Sequence, residues 1–219
     1  MFRSKYNKIP LLFLFCTAVT VAAIFCYCEL YEENNLLKQQ LLNTHEETTQ
    51  LKEELSKTQE EAKILKERLT TINRFAQIYN TSPEVISLVF RESEKNGVHP
   101  GIMLELIKTE SNFDPKAVSK DGAKGLCQIQ PTTARELCRE LGISFTPQKL
   151  FNSDFNITLG AYYLKKLLKS NNGDYHRALT AYNRGPAGLE AYMRNRGTAV
   201  SRYSQRISSR GMQYHNPNQ

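Results

Sequence analysis

The chain has 219 residues, with 29 basic and 22 acidic side chains and a net charge of +7. The charge is unevenly spread: residues 1–80 carry ten of each sign, whereas residues 81–219 carry nineteen basic and twelve acidic side chains, including all four aspartates. Roughly 140 residues suffice to bury a core, so a globular part owns the positive charge and suits a polyanionic partner.

The N-terminal segment argues against nucleic acid as that partner. Residues 1–8 form a basic start with Arg3, Lys5 and Lys8, and residues 9–28 (IPLLFLFCTAVTVAAIFCYC) follow without a charge. Twenty helical residues rise about 30 Å, the thickness of a hydrocarbon core. Glu29, Glu32 and Glu33 come next, so the basic flank should stay in the cytoplasm and everything beyond residue 28 should be exported. A cleaved signal peptide would be cut near Ala22 and Ala23, but the apolar run continues through Ile24 and Phe25, which favours an uncleaved, single-pass anchor. Bulky residues precede Cys16, Cys26 and Cys28, against lipidation.

Residues 29–80 read as a stalk. With Leu55 at position a, the seam sites run from Asn34 and Leu37 to Ile72 and Ala76; nine of thirteen are apolar, and the stretch lacks Gly and Pro. Such a pattern fits a self-associating coiled coil, most simply a homodimer. Thr44, Thr48 and Thr58 weaken the seam and leave open a lone spacer helix; either way residues 34–76 reach roughly 65 Å.

Residues 81–210 read as the globular domain. Ser82 before Pro83 is a good helix start, and that helix ends at Gly97. The next helix, within residues 101–112, has its apolar stripe on Met103, Leu106 and Ile107, while Glu105 and Lys108 fall off it and face water. One more step of that period lands on Glu110, a carboxylate aimed at the core, whose pKa should rise as a general acid requires. A loop runs to Gln130, Pro131 opens a helix to about Leu141, and another spans about Ser153 to Lys169. Asp174 starts a helix that breaks at Gly185-Pro186, and two shorter ones precede Arg210. No segment alternates as a strand, so the class is mainly α. Residues 211–219 read as a polar, disordered tail.

Four clusters now stand in register: Glu110-Ser111 with Ser119–Lys124, Gly125-Leu-Cys-Gln-Ile-Gln-Pro131, Asn156–Leu164, and Ala181-Tyr182-Asn183-Arg-Gly185-Pro186. In order and spacing they resemble the soluble-lytic-transglycosylase domain, related to goose-type lysozymes. The resemblance covers residues 83 to about 207 and implies a lysozyme-like fold acting on peptidoglycan strands. By that resemblance Glu110 is the single catalytic acid/base. Gln128 lies in the wall of the sugar groove, Ser119 contacts substrate near the acid, and the Tyr182 hydroxyl approaches the catalytic carboxyl beside Asn183. Tyr203 corresponds to a later groove tyrosine. Cys127 and Gln130 stand where methionines are common, which alters the groove wall.

Ordinary glycosidases place two carboxyl groups about 5–9.5 Å apart across the bond. Here Asp114 and Asp121 read as turn residues, Asp154 as a helix N-terminal charge and Asp174 as an N-cap, so no second acid announces itself. The resemblance supplies the alternative: one glutamic acid protonates the oxygen leaving N-acetylmuramic acid, then deprotonates the C6 hydroxyl to close a 1,6-anhydro ring without consuming water. A hydrolytic muramidase of the same fold, or a non-catalytic glycan-binding scaffold, are the competing readings. The four histidines lack ligand spacing, so neither metal nor cofactor is expected. Cys127 and Cys138 are the exported thiols, and the intervening helix is expected to carry them apart. Tyr162 and Tyr163 are expected to pack rather than hold sugar.

Overall fold

The computed structural model describes residues 11–214, with side chains from Phe13 onward, and divides into units at residues 1–64 and 65–219. The first unit is helical throughout its described part, within α1 (Leu11–Tyr79), a run with no Gly or Pro to break the backbone ladder. α1 contains one stretch long and apolar enough to cross a membrane by length and composition. Residues 9 and 10 of the expected span lie outside the described residues. The heptad leucines Leu37, Leu41, Leu51 and Leu55 are exposed.

The second unit is built from the end of α1 and six further helices: α2 (Pro83–Asn96), α3 (Pro100–Ser111), α4 (Pro131–Leu141), α5 (Ser153–Ser170), α6 (Tyr175–Arg196) and α7 (Arg202–Gly211). A 3-10 turn at Pro147–Phe151 leads into α5. The local chemistry sets these boundaries. Ser82 accepts from Val85 N, Asn152 from Phe155 N and Asp174 from Arg177 N, each side chain capping a first turn that would otherwise have unpaired donors. Gly185, at φ 73 and ψ 161, interrupts α6 where the break is expected, but the helix resumes to Arg196. Among the described residues there are two isolated β-bridges and no strand.

α3 lies at the centre, packing against α2 and α7, while α5 packs against α2, α4 and α6. Seven successive residues of α3, Gly101 to Ile107, are all buried. Glu105 is therefore not on a wet face; it is 5% exposed, because a helix enclosed on all sides has no solvent side for an off-stripe residue.

Two boundaries differ from the sequence reading. The compact unit begins at Leu65 rather than residue 81, and Ile72, Phe75, Ala76 and Tyr79 are buried in its core. Ile72 and Ala76 are core residues, not seam positions of the stalk. At the other end, Gly211 is buried and Tyr214 packs its ring edge-on against Phe75 at 5.1 Å, so the chain is ordered beyond residue 210. Residues 215–219 of the expected tail lie outside the described residues. Cys127 and Cys138 are both buried as free thiols.

Candidate active site

α3 ends beside the site. Asn112 caps it at φ 52 with its N–H on Lys108 O, which leaves Glu110 in the last turn, where the enclosed helix opens. The Tyr203 hydroxyl donates to Glu110 Oε1 at 2.5 Å. Burial pushes the Glu110 carboxyl above the usual carboxylate range, and the Tyr203 bond pulls the other way by favouring the charged form. No second carboxylate among the described residues contributes to that shift.

Tyr203 is placed by the start of α7. Ser201 and Ser204 form a reciprocal capping box, Thr180 lies 2.8 Å from the Ser201 hydroxyl and donates to Ala199 O, and His176 Nδ1 lies 3.2 Å from Ser204 Oγ. α6 thus fixes the first turn of α7 and the tyrosine in it. Burial, then the neighbouring Glu110, push the Tyr203 hydroxyl well above its ordinary value, so it stays a donor.

The loop after α3 forms the adjoining wall. Ser111 donates to Leu126 O at 2.8 Å. Fully buried Asn156 holds three points of the surrounding backbone: its amide donates to Lys124 O and Leu150 O, and its oxygen accepts from Cys127 N at 2.7 Å. Gly125 is at φ 76, and a Cβ there would meet Leu150 O at 2.2 Å. Gly160 lets α5 approach the loop, since a Cβ on it would fall 2.5 Å from Cys127 Sγ.

The expected site residues are thus distributed unevenly. Glu110 and Tyr203 are in direct contact. Tyr182 is a neighbour of Glu110, but its hydroxyl donates to Cys127 O at 2.9 Å, and its ring leans on Tyr163 at 5.1 Å. The tyrosine that reaches the carboxyl is Tyr203, not Tyr182, because Tyr182 spends its one proton on the backbone. Gln128, at φ 47, donates through its side chain to Ala117 O and Gly125 O, and Ser119 Oγ accepts from Ala123 N, so both brace the loop. Gln130 is half-buried at the N-cap of α4 and Asn183 is exposed on α6; neither is a hydrogen-bond partner of Glu110. Tyr162 reaches Glu140 at 3.2 Å. The aspartates hold the structural posts foreseen for them: Asp114 accepts from Lys116 N, Asp121 lies in a turn, Asp154 stands in the first turn of α5 and Asp174 caps α6; Asp154 also pairs with Arg91. Sequence reasoning gave Asn156 and Glu105 no role; an Asn on the apolar face beside Ile157 and Gly160 was the available signal for the former.

An all-helical unit whose central helix ends on a half-buried carboxylic acid is a lysozyme-like arrangement. The Transglycosylase SLT domain matches residues 87–204, more than half of the chain, and the chain belongs to that family. It is 32% identical over 127 residues to the membrane-bound lytic murein transglycosylase C of Edwardsiella ictaluri (strain 93-146), covering 53% of this chain and 35% of that protein. Among solved structures it is similar to an inactive Glu-to-Gln mutant of the lytic transglycosylase Slt from Pseudomonas aeruginosa. That match has 30% identity and a TM-score of 0.52, over 57% of this chain and 23% of that one. The chain thus spans about a third of the first relative's length and under a quarter of the second's.

Proposed function

We propose that the protein is a membrane-anchored lytic transglycosylase that cleaves the β-1,4 bond between N-acetylmuramic acid and N-acetylglucosamine in peptidoglycan. The observation that carries this is Glu110: a carboxyl in the opening last turn of α3 with the Tyr203 hydroxyl as its hydrogen-bond partner, its pKa pushed up by burial. In the proposed reaction Glu110 gives its proton to the glycosidic oxygen as the C1–O bond breaks, and the substrate's N-acetyl group stabilises the cationic C1. The Glu110 carboxylate then takes the proton of the C6 hydroxyl as that oxygen bonds to C1. The acid is regenerated and the product carries a 1,6-anhydro ring.

The inactivity of the Glu-to-Gln mutant of the Pseudomonas aeruginosa enzyme supports one decisive glutamate. Ser119, Gln128, Gln130, Tyr182 and Asn183 belong in this reading to the walls of the sugar groove, the first two by shaping its loop. The apolar stretch of α1 and the name of the Edwardsiella ictaluri relative support anchoring through residues 9–28. The basic start supports a catalytic unit outside the cytoplasm. The exposed leucines of residues 37–55 support self-association of the stalk.

The test is digestion of purified peptidoglycan by the full chain in detergent, with mass spectrometry of the released muropeptides. Anhydro products about 18 Da lighter than hydrolysis products are expected, because ring closure replaces water. Glu110→Gln should bind glycan and cut at least about a hundredfold more slowly, since an amide can neither give nor retrieve the proton. Reducing-end products would establish the muramidase instead, binding without cutting would establish the scaffold, and normal cutting by Glu110→Gln would remove Glu110 as the acid.

A further inference from the structure

Glu105 is a buried carboxylate that the proposed reaction does not use. Among the described residues no ion pair includes it, so hydrogen bonds must replace the water it has lost. The Tyr79 hydroxyl donates to Glu105 Oε1 at 2.7 Å, and the Tyr214 hydroxyl lies 2.8 Å from that of Tyr79. Tyr79 has one proton, which goes to the carboxylate, so Tyr214 donates to Tyr79. The result is a chain of hydrogen bonds linking the end of α1, the middle of α3 and the segment leaving α7.

The same two helices carry the reacting pair. Glu110 lies five residues beyond Glu105, about 140° further round α3, and Tyr203 lies on α7. At their far ends α3 and α7 touch through glycines: a Cβ on Gly101 would meet Gly211 O at 2.2 Å and Tyr214 Cβ at 2.9 Å. Phe113, three residues after Glu110, is held at φ 63, a left-handed conformation unfavourable for a bulky residue. Its ring lies 5.0 Å from that of Tyr79, which gives this strained exit from α3 a wall to rest on.

We infer that Tyr79, Glu105 and Tyr214 are positioning residues that set the spacing of Glu110 and Tyr203. The last turn of α1 is then a working part of the active unit although it touches no reacting group. The inference rests on the reading of Glu110 as the acid.

The test uses the full chain in detergent, as wild type, Tyr79→Phe, Glu105→Gln, Tyr214→Phe and Tyr203→Phe. Turnover on purified peptidoglycan is measured against pH and normalised to the folded fraction. The titratable groups facing Glu110 are Tyr203 of α7, Tyr182 of α6 and Cys127 of the loop, all pushed up by burial and neutral near pH 7, so the alkaline limb reports Glu110. Tyr79→Phe keeps the ring and should lower kcat about 10- to 100-fold, the scale of a misplaced catalytic group, with KM within about twofold. Its alkaline limb should move to higher pH, as in Tyr203→Phe, because a loosened Tyr203 no longer favours the carboxylate. Glu105→Gln keeps an acceptor for Tyr79 and should recover most of the activity. Tyr214→Phe, which removes only the outer link, should move both readouts the same way by less, and serves if Tyr79→Phe does not fold. A lower melting temperature with unchanged turnover and an unchanged alkaline limb would overturn the inference. If the wild type does not cleave, the functional reading fails, and a 13C NMR titration of Glu110 decides the positioning role alone: a raised Glu110 pKa in Tyr79→Phe supports it, an unchanged one overturns it.

Discussion

Starting the chain at residue 81 instead of residue 65 would remove one wall of the core. Ile72, Phe75 and Tyr79 are 8%, 2% and 3% exposed, and Ala76 packs beside them. Burying a large apolar side chain contributes about 1.5–3 kcal/mol, so the four together contribute on the order of 5–9 kcal/mol. Loss of Tyr79 also strips Glu105 of its donor, which costs about 1–3 kcal/mol more. Ordering residues 65–79 offsets part of this, although a run without Gly or Pro that continues α1 limits that cost. A net loss of about 5 kcal/mol remains, set against about 5–15 kcal/mol for a whole domain. At about 2–4 °C per kcal/mol, the shorter chain should melt roughly 10–20 °C below residues 65–219, or not fold. Thermal unfolding of both chains by circular dichroism is the assay. Cooperative melting of the shorter chain within about 3 °C of the longer one would refute the assignment of the α1 terminus to the core.

Glu110→Gln should stabilise the protein near neutral pH. Burial raises the folded-state pKa, so the folded state binds more protons than the unfolded one and wild-type stability falls as pH rises. The mutant's advantage should be smallest below the ordinary glutamate value, grow above it and level off beyond the raised one, as followed by melting temperature against pH; a pH-independent difference would contradict the burial. Gly160→Ala should cost about 1–3 kcal/mol, because its methyl would fall 2.5 Å from Cys127 Sγ. Adding Cys127→Ala should recover much of that loss in a double-mutant cycle, and strictly additive effects would show that the two sites do not collide.

The helix boundaries were legible because they rest on local chemistry: Ser82 before Pro83, Asp174 as N-cap and the break at Gly185 each act within a turn. The half-buried position of Glu110 was legible for the same reason, as a periodic position holding the wrong residue type. What the sequence hid depends on partners distant in the chain. Ile72 and Ala76 fit a heptad seam and a core equally well, since both demand small or branched apolar residues at helical spacing, and only the packing of Tyr214 and Phe90 around Phe75 decides between them. Glu105 looked solvated because amphipathic patterning assumes one wet face, which a central helix lacks. The exchange of roles between Tyr182 and Tyr203 turns on where each single hydroxyl proton goes, one to Cys127 O and the other to Glu110, and no spacing rule reports that.

The position of Glu110 also answers a demand particular to the proposed reaction. A two-carboxylate glycosidase divides acid and base between two environments. A lone glutamate must be a proton donor first and an acceptor moments later, so its pKa cannot sit far from the working pH in either direction. Deeper in α3, at Glu105, burial is nearly complete and the partner Tyr79 is enclosed with it; one turn past Glu110 the chain is exposed at Asp114, where no apolar wall desolvates a carboxyl group. Glu110 stands between, half-buried, with desolvation raising its pKa and Tyr203 lowering it. The tyrosine can play that part in both steps because its own hydroxyl is held protonated by burial: it donates to the carboxylate when one forms and competes for no proton when the acid is restored. In the proposed reaction the two residues then act as a unit, so the elements that hold α3 against α7 would bear on that chemistry as directly as the walls of the proposed groove.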